Sequence, residues 1–327
     1  MNRLIAIALA GLPLVCGAVP EIGAFENPVI PVDWPDPTVW DGGDGWYYSV
    51  ATMLRTVRRS RNLTNWEDLR RSPLTSEART ALTNVSRNVW APCVVRIGGK
   101  WLLYVSLFRT DADCRIAVLS SDSPCGPFAF RGLVIESTRI GILNTIDPYV
   151  FEAEGKVWMT FGSCQDGVHL VELREDGLAL KPGAVPVHLA GLRYRPNVKM
   201  WGYPGTYEGS YVLRRKDWWY LFVSGGLFKD GSYYLTVGRS KELVGDYVDH
   251  EGHSLREGKA RPILASKPGD RFVGPGHNGD AFTSRDGRDW MFVHAHDAKL
   301  TDKNARPTLL KELKWSASGW PFFESER

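Results

Sequence analysis

The sequence predicts an all-β fold, a five-bladed β-propeller with four antiparallel strands in each blade and a single domain. The main observation is a pairing of a turn with an aromatic strand, which recurs at Trp46, Trp101, Trp158, Trp219 and Trp290. The steps between these tryptophans are 55, 57, 61 and 71 residues, enough for four strands per copy. Stretches with helical periodicity are scarce, and no linker divides the chain.

Each of the five tryptophans follows a turn and leads into an alternating run. The turns contain glycine and aspartate, as at 43–45 and 98–99, because these residues tolerate the positive φ angles of tight hairpins. The run at 101–106 alternates aromatic and aliphatic residues, which is typical of a buried strand. The turn and the run together predict one hairpin in each blade.

The first two blades are predicted in the N-terminal half. Blade one runs from about residue 36 to residue 74, and residues 77–86 form a polar connection to blade two. Blade two begins at Trp90, and its third strand is predicted at 114–120. A cluster of turn residues at 123–128 follows.

Blade three begins at 144–148, and its second half, 168–173, alternates well. A longer connection follows at 191–207 and carries Trp201. Connections of that length on a compact scaffold are often functional, so we expect this one to form a wall of the pocket.

The last two blades are predicted in the C-terminal third. Blade four opens at 207–209, and its third strand is predicted at 233–240. Blade five contains 274–279, and the tail at 314–321 supplies a final hairpin.

A carboxylate recurs at one position in three of the five copies. Counting back ten or eleven residues from the first, third and fourth tryptophans reaches Asp36, Asp147 and Glu208. The same position holds Trp90 in blade two and lies beside His277 in blade five. Because the innermost strands of a propeller converge on its axis, we expect these side chains to meet at one mouth. The alternative is that acidic residues merely open strands and turns.

Composition excludes one class of function. The net charge is +3 with both signs interspersed, so there is no basic stripe for nucleic acid. The 13 tryptophans and 12 tyrosines suit propeller cores and also suit stacking on sugar rings.

Residues 1–18 are predicted to be a signal peptide, which leaves a propeller domain at 19–327. Arg3 is followed by an apolar stretch at 4–15, which is too short to span a bilayer, and then by small residues for cleavage. The protein is therefore expected to be exported, either periplasmic or secreted. A lipid anchor on Cys16 is the alternative, but 13–15 fits the small-residue requirement before that cysteine poorly.

Four cysteines remain after removal of the leader: Cys93, Cys114, Cys125 and Cys164. An exported chain permits disulfides, and four cysteines allow three pairings between which the sequence does not choose. No spacing of cysteine and histidine indicates zinc.

The sequence resembles glycoside hydrolase family 43, whose five-bladed propeller enzymes act on arabinan and xylan. The resemblance covers nearly the whole mature chain, from residue 27 to residue 321, and the stretch 238–278 is most similar to arabinan-directed members. It rests on five motifs in order at blade spacing: Trp34-Pro35-Asp36-Pro37, Trp90-Ala91-Pro92, Ile146-Asp147-Pro148, Glu208-Gly209-Ser210-Tyr211-Val212 and Gly274-Pro275-Gly276-His277-Asn278.

The resemblance implies a role for each conserved motif residue. Asp36 would be the general base, Glu208 the general acid, and Asp147 the residue that holds and tunes that acid. His277 matches a central histidine that in many arabinanases lies beside a calcium ion, so the resemblance implies calcium as a possible metal at His277 and no organic cofactor. Trp90 is expected to bind substrate by stacking, or else to pack as an inner-strand indole. His277 is expected to contact substrate or a metal, or else to be a core histidine.

The implied reaction is hydrolysis of α-L-arabinofuranosyl linkages, most of all in α-1,5-linked arabinan, with inversion of the anomeric carbon. Inversion requires room for water between acid and base, roughly 6.5–9.5 Å. The partner would be a plant cell-wall polysaccharide or its oligosaccharides. The alternatives are an exo-acting arabinofuranosidase, a β-xylosidase, or a sugar-binding propeller without turnover. A propeller used for protein contacts has no positive feature in the sequence.

Two departures from the family pattern accompany the match. Cys93 stands where the family often has an acidic residue, which puts the contribution of blade two to the pocket in doubt. The segment 227–231 lacks the paired cysteines that some relatives carry.

Overall fold

The computed structural model describes residues 19–324, and the predicted signal peptide lies outside the described residues. Five antiparallel sheets are arranged as the five blades of a β-propeller, as the sequence predicts. In each blade the first strand in sequence lies at the centre of the ring, and the following strands lie progressively outward. Within 19–324, no helix is long and apolar enough to cross a membrane.

Blade one contains β1 (Thr38–Asp41), β2 (Tyr47–Val50), β3 (Arg58–Ser60) and β4 (Glu67–Asp68). The strands pair in sequence order, each with the next. Its outer strands are short and polar.

A helix, α1 (Ser76–Val85), connects blade one to blade two. The sequence predicted only a polar connection here. The helix forms because Thr75 accepts a hydrogen bond from the backbone N–H of Ala78 and so caps its first turn. Ala78 and Leu82, one turn apart, are buried against the sheets.

Blade two contains β5 (Asn88–Ile97), β6 (Lys100–Thr110), β7 (Asp113–Ser121) and β8 (Ala129–Glu136), and β5 and β6 are the longest strands within residues 19–324. A single helical turn, α2 (Ser137–Ile140), follows. The predicted third strand at 114–120 lies within β7.

Blade three contains β9 (Tyr149–Ala153), β10 (Lys156–Phe161), β11 (Val168–Leu173) and β12 (Val187–Ala190). The connection from β12 to blade four spans 191–206 and contains turns but no helix or strand.

Blade four contains β13 (Tyr207–Arg215), β14 (Trp218–Gly225), β15 (Tyr234–Ser240) and β16 (Pro262–Ala265). A short 3₁₀ helix at Leu255–Glu257 precedes β16.

Blade five contains β17 (Phe272–Gly276), β18 (Ala281–Thr283), β19 (Asp289–Asp297), β20 (Thr308–Trp315) and β21 (Pro321–Phe322). Both β17 and β18 pair with β19, so together they serve as the inner strand. The hairpin of β20 and β21 is the one predicted for the tail.

The hydrophobic core is divided into five clusters, one between each pair of neighbouring blades. Tyr104 of blade two, for example, shares a cluster with Met159 of blade three. Apolar residues on both faces of the sheets enter these clusters, which is why the sheet residues are buried over long runs.

The segment before β1 closes the ring. Ile30 forms an antiparallel bridge with Thr308 of blade five. The Thr308 hydroxyl also donates to the carbonyl of Trp34 at 2.7 Å. These contacts fix the start of blade one against the last blade.

One residue in each blade adopts the left-handed conformation in the innermost part of the sheet, where it precedes the inner strand, lies at a bulge within it, or directly follows its first segment. The φ angles lie between 38° and 59°, at Asp36, Ala91, Asp147, Gly209 and His277. Four of these are not glycine, and such a conformation costs about 1–3 kcal/mol for a non-glycine residue. The five residues occupy equivalent positions around the axis and include or adjoin every predicted site residue.

The buried N–H groups of four left-handed residues are held by the preceding blade. Each acceptor lies in, or just after, the strand that pairs with the inner strand of the preceding blade. The N–H groups and their acceptors are 2.8–3.0 Å apart: Ala91 to Thr52, Asp147 to Ser106, His277 to Ser224 and Asp36 to His294. Blade four is the exception, because the N–H of Gly209 donates to the carboxylate of Asp147 at 3.2 Å.

Candidate active site

A cavity of about 580 Å³ opens at the axis of the propeller. Its lining includes all five residues singled out from the sequence: Asp36, Trp90, Asp147, Glu208 and His277. The three carboxylic residues are only 8%, 6% and 6% exposed, in that order along the chain. The structure thus brings three nearly buried carboxyl groups from three blades to one cavity.

Asp36 is surrounded by hydrogen-bond donors and cationic groups. Thr52 donates to its Oδ2 at 2.6 Å, and Arg306 donates to its Oδ1 at 3.3 Å. The Nδ1 atom of His277 lies 3.5 Å from the same Oδ1. Burial by itself would raise the pKa of Asp36, but Arg306, His277 and His294 together hold that pKa well below its usual value. Asp36 is therefore ionised at neutral pH.

His294 holds the backbone of Asp36. Its Nδ1 accepts the N–H of Asp36 at 3.0 Å and lies 3.2 Å from Oδ1 of the same residue. Burial lowers the pKa of His294 to about 3, so the ring is neutral and its Nδ1 can accept the N–H of Asp36.

Asp147 is held in a different environment. Its Oδ2 accepts the N–H of Gly209, and its own N–H donates to Ser106. Burial raises the pKa of Asp147 to about 7; the charges of Glu208 and Asp36 act in the same direction, and that of His277 opposes them. The carboxyl group of Asp147 therefore retains a proton up to about neutral pH.

Glu208 is held by hydroxyl groups at both oxygens. Ser163 donates to Oε2 at 2.6 Å, and Tyr233 donates to Oε1 at 2.7 Å. The thiol of Cys164 also lies 3.4 Å from Oε2. A side chain at residue 209 would be strained, because φ is +59° and the Cβ would lie 3.0 Å from the His277 ring.

One wall of the cavity is aromatic. Trp90 stacks on Phe108 with ring centroids 4.6 Å apart and an interplanar angle of 17°. Trp201 meets Phe108 edge-on at 6.4 Å, and its indole N–H donates to Asp111 at 3.1 Å. The 191–206 connection is thus attached to blade two, and it contributes Lys199 and Trp201 to the lining of the cavity.

A second cavity of about 30 Å³ is lined by residues from all five blades and shares Asp36, Asp147 and His277 with the large one. Asp280 also lines it, and burial raises the pKa of that carboxyl group to about 6. The amide oxygen of Asn278, another lining residue, is buried without a hydrogen-bond partner. Among residues 19–324, no three His, Cys, Asp or Glu side chains come together as a metal-binding group.

The four described cysteines are free thiols: Cys93, Cys114, Cys125 and Cys164. Cys93 lines the small axial cavity, and its sulfur accepts the N–H of Val150 at 3.3 Å. Burial raises the pKa of this thiol, so it adds no negative charge to the pocket. Blade two therefore contributes an indole and no carboxylate.

Sequence reasoning missed the side chains that hold the carboxylates. Four of them were not singled out as site residues: His294, Ser163, Tyr233 and Arg306. One signal was present: Ser106, Ser163 and Ser224 each lie five residues after a repeated tryptophan, and each contacts a site residue of the next blade. Tyr233 and Arg306 carry no comparable periodic signal.

Comparison with known proteins identifies similar chains over almost the whole length. The family model for glycosyl hydrolases family 43 matches residues 25–321. An extracellular exo-α-(1→5)-L-arabinofuranosidase of Cellvibrio japonicus is 30% identical, over 96% of this chain and 91% of its own. An extracellular endo-α-(1→5)-L-arabinanase of Bacillus subtilis is 31% identical, over 97% and 95% of the two chains.

The fold is also similar to solved structures. An α-L-arabinanase of Cellvibrio cellulosa in complex with arabinohexaose superimposes with a TM-score of 0.77 and 28% identity. The superposition covers 90% of this chain and 96% of that one. An endo-arabinanase of Bacillus licheniformis superimposes with a TM-score of 0.73 and 26% identity, over 91% and 99% of the two chains.

Replacing Asp147 with asparagine tests its raised pKa. Between about pH 4 and pH 7 the folded protein holds a proton that the unfolded chain releases, so this residue lowers the free energy of unfolding as pH rises through that window. The uncharged Asp147→Asn variant lacks this decline. Its free energy of unfolding relative to wild type should rise by about 4 kcal/mol from pH 4 to pH 8 in urea titrations.

The control is Asp122→Asn, which removes a carboxylate whose side chain is 84% exposed. Its difference from wild type should stay nearly flat with pH. A flat difference for Asp147→Asn as well would contradict the raised pKa.

Proposed function

The chain belongs to glycosyl hydrolases family 43, and from this premise we propose that it cleaves the α-1,5 linkages of arabinan with inversion of the anomeric carbon. The protein is a glycoside hydrolase, and enzymes of this family need no organic cofactor. The observation that supports the proposal most is the contrast between Asp36 and Asp147 within one cavity. One is held ionised by cationic neighbours, whereas the other keeps a proton to about pH 7.

Asp36 is proposed as the general base. Cleavage of an acetal with inversion requires a carboxylate that takes a proton from the attacking water. Arg306 and Thr52 hold Asp36 in its ionised form and in one orientation. An ionised, fixed carboxylate at the cavity surface suits this task.

Glu208 is proposed as the general acid, which protonates the leaving oxygen of the sugar. Asp147 is proposed as the residue that orients and tunes it. Asp147 accepts the N–H of Gly209, the residue next to the acid, and it retains a proton near neutral pH.

Trp90 is proposed as a platform on which a sugar ring stacks. Its stacking on Phe108 gives the wall a rigid apolar face, and apolar sugar faces pack on such surfaces. His277 is proposed to contact the substrate near Asp36, because it lines the same cavity.

Two cleavage modes remain open within the family. The two relatives described above include one named for exo action and one named for endo action, at nearly equal identity. A β-xylosidase is a further alternative. A sugar-binding propeller without turnover would have no use for carboxyl groups in opposite protonation states.

Calcium in the axial channel is a further proposal. Calcium favours oxygen ligands. Asn278 and Asp280 offer oxygen atoms beside His277 around the 30 Å³ cavity, and the amide oxygen of Asn278 has no other partner. This set fits one ion completed by water molecules. Its positive charge would favour the ionised form of Asp36.

We also propose that the protein acts outside the cytoplasm. The support is the apolar leader predicted at 1–18 and the word extracellular in the names of both relatives. Its partner would be arabinan or arabino-oligosaccharides of the plant cell wall.

Alanine at Glu208 and at Asp36 should have separable effects. Glu208→Ala should lower kcat on arabino-oligosaccharides by about 10²–10⁴-fold, because the leaving oxygen is no longer protonated. Dinitrophenyl glycosides of the same sugars need no acid, so their turnover should be nearly normal. Asp36→Ala should be slow on both substrates, because water activation is lost. Steady-state kinetics on the two substrate types measures both effects.

Near-normal turnover by Asp36→Ala would show that the base is wrongly assigned. Equal losses of activity by Glu208→Ala on both substrate types would show that the acid is wrongly assigned.

The products from linear arabinan distinguish the cleavage modes. A ladder of oligomers at early times is expected for endo action, whereas one short product from the start indicates exo action. Chromatography of timed digests gives this result, and xylan serves as the control polymer. Release of xylose but no arabinose would contradict the proposed substrate.

Removal of calcium tests the proposed ion. If calcium favours the ionised form of Asp36, the activity should fall after exhaustive treatment with EGTA. The activity should then return on addition of Ca²⁺ but not of Mg²⁺. Unchanged activity after complete removal, verified by elemental analysis, would count against the ion.

A further inference from the structure

Two buried hydroxyl groups hold the carboxyl group of Glu208 from its two oxygens. Ser163 and Tyr233 are 0% and 1% exposed, and their distances to Oε2 and Oε1 are 2.6 Å and 2.7 Å. Neither residue lines the large cavity. Neither hydroxyl can therefore touch the substrate directly, and each acts on the reaction through Glu208.

Ser163 can reach Glu208 because blade four departs from the pattern of the other blades. Ser106 and Ser224, at the equivalent positions, accept the N–H of the left-handed residue in the next blade. In blade four the corresponding N–H belongs to Gly209 and donates to Asp147. The hydroxyl of Ser163 lies instead against Glu208 and donates to its Oε2. In this blade Asp147 therefore accepts the N–H of Gly209, and Glu208 accepts the hydroxyl of Ser163.

The ring of Tyr233 extends the contact toward Asp36. It stacks on the ring of His294 with an interplanar angle of 6° and centroids 5.7 Å apart. His294 in turn holds the backbone N–H of Asp36. One tyrosine therefore contacts the proposed acid through its hydroxyl and the support of the proposed base through its ring.

We propose that Ser163 and Tyr233 are positioning residues that fix the carboxyl plane of Glu208, and that the Tyr233 ring fixes the acid relative to Asp36. This inference rests on the proposed roles of Glu208 and Asp36. Proton transfer requires hydrogen-bond reach to the leaving oxygen, and a misplacement of about 1 Å costs roughly 10²-fold in rate. Burial, and next the charge of Glu208, raise the pKa of Tyr233, so its hydroxyl remains a donor.

Cys164 is a lesser contact in the same set. Its sulfur lies 3.4 Å from Oε2, where Ser163 already donates. A thiol is a weak donor, so the two hydroxyl groups dominate the orientation of Glu208.

The test compares Tyr233→Phe and Ser163→Ala on arabino-oligosaccharides and on a series of aryl glycosides with different leaving groups. Each variant should lower kcat on the oligosaccharides by about 10–100-fold with KM unchanged. Dinitrophenyl glycosides should lose less than about threefold, because they need no protonation. The rate should therefore depend more steeply on the leaving group than in wild type.

Tyr104→Phe is the matched control. It removes another buried phenol hydroxyl, which donates to the carbonyl of Gly177 at 2.7 Å between blades. The control should lower the melting temperature as Tyr233→Phe does but leave the leaving-group dependence as in wild type. This separates a positioning role from a general loss of stability.

Tyr233→Leu removes the ring as well as the hydroxyl. If the stack fixes the acid relative to the base, this variant should also lose about tenfold on dinitrophenyl glycosides, which the phenylalanine variant spares. If the Tyr233→Leu variant does not fold, Tyr233→Met is measured in its place. Equal dinitrophenyl rates for the ringless and phenylalanine variants would overturn the role of the stack.

Glu208→Ala is measured in the same series to separate the two levels of failure. If Glu208→Ala shows the steep dependence and Tyr233→Phe and Ser163→Ala do not, the positioning role is overturned and the acid stands. If Glu208→Ala shows no steep dependence, the acid assignment itself fails.

Discussion

The centre of this propeller depends on a backbone constraint, the left-handed residue in the innermost part of each blade. Left-handed backbone is costly for residues other than glycine, and a buried N–H group needs a partner. Both requirements are met between blades, because each blade supplies an acceptor to the left-handed residue of the next. Asp36 is held by His294 in this way, and Asp147 is held by Ser106. The backbone positions of two carboxylates are thus fixed by neighbouring blades.

The same constraint explains how nearly equivalent positions acquire different chemistry. Asp36 and Asp147 are both left-handed, both buried and both line the cavity. Their pKa values move in opposite directions, because Arg306 lies against the first and no cation is bonded to the second within the described chain. The difference therefore comes from the neighbouring side chains and not from the strand geometry. Only in blade four does the left-handed N–H turn to a carboxylate, and there the proposed acid is located.

Much of the fold could be predicted from the sequence, because the repeated unit carries its own local signals. The turns, the tryptophans and the alternating runs recur, so the number of blades follows from counting. The helix α1 was missed, because its apolar residues Ala78 and Leu82 are few and its cap is a single threonine. Its formation depends on packing against two blades, which a local pattern does not report.

The meeting of Asp36, Asp147 and Glu208 at one cavity follows from their common position in the repeat, whereas their roles are proposals. The residues that hold them were harder to find. Tyr233 immediately precedes β15, and Arg306 lies in the connection before β20. Neither residue stands at a position where the same residue type recurs in the other blades. Tyr233 reaches Glu208 within blade four, and Arg306 reaches across from blade five to Asp36 of blade one. Single-sequence periodicity contains no information about how these segments pack.

The most direct measurement of the central claim is the anomeric form of the first product, observed by proton NMR during hydrolysis of an α-1,5-linked arabino-oligosaccharide. If Asp36 activates water while Glu208 protonates the leaving oxygen, the new reducing end appears first as the β anomer and then mutarotates. First appearance of the α anomer would mean that a carboxylate attacks the sugar directly, and the base and acid roles proposed for this cavity would be contradicted.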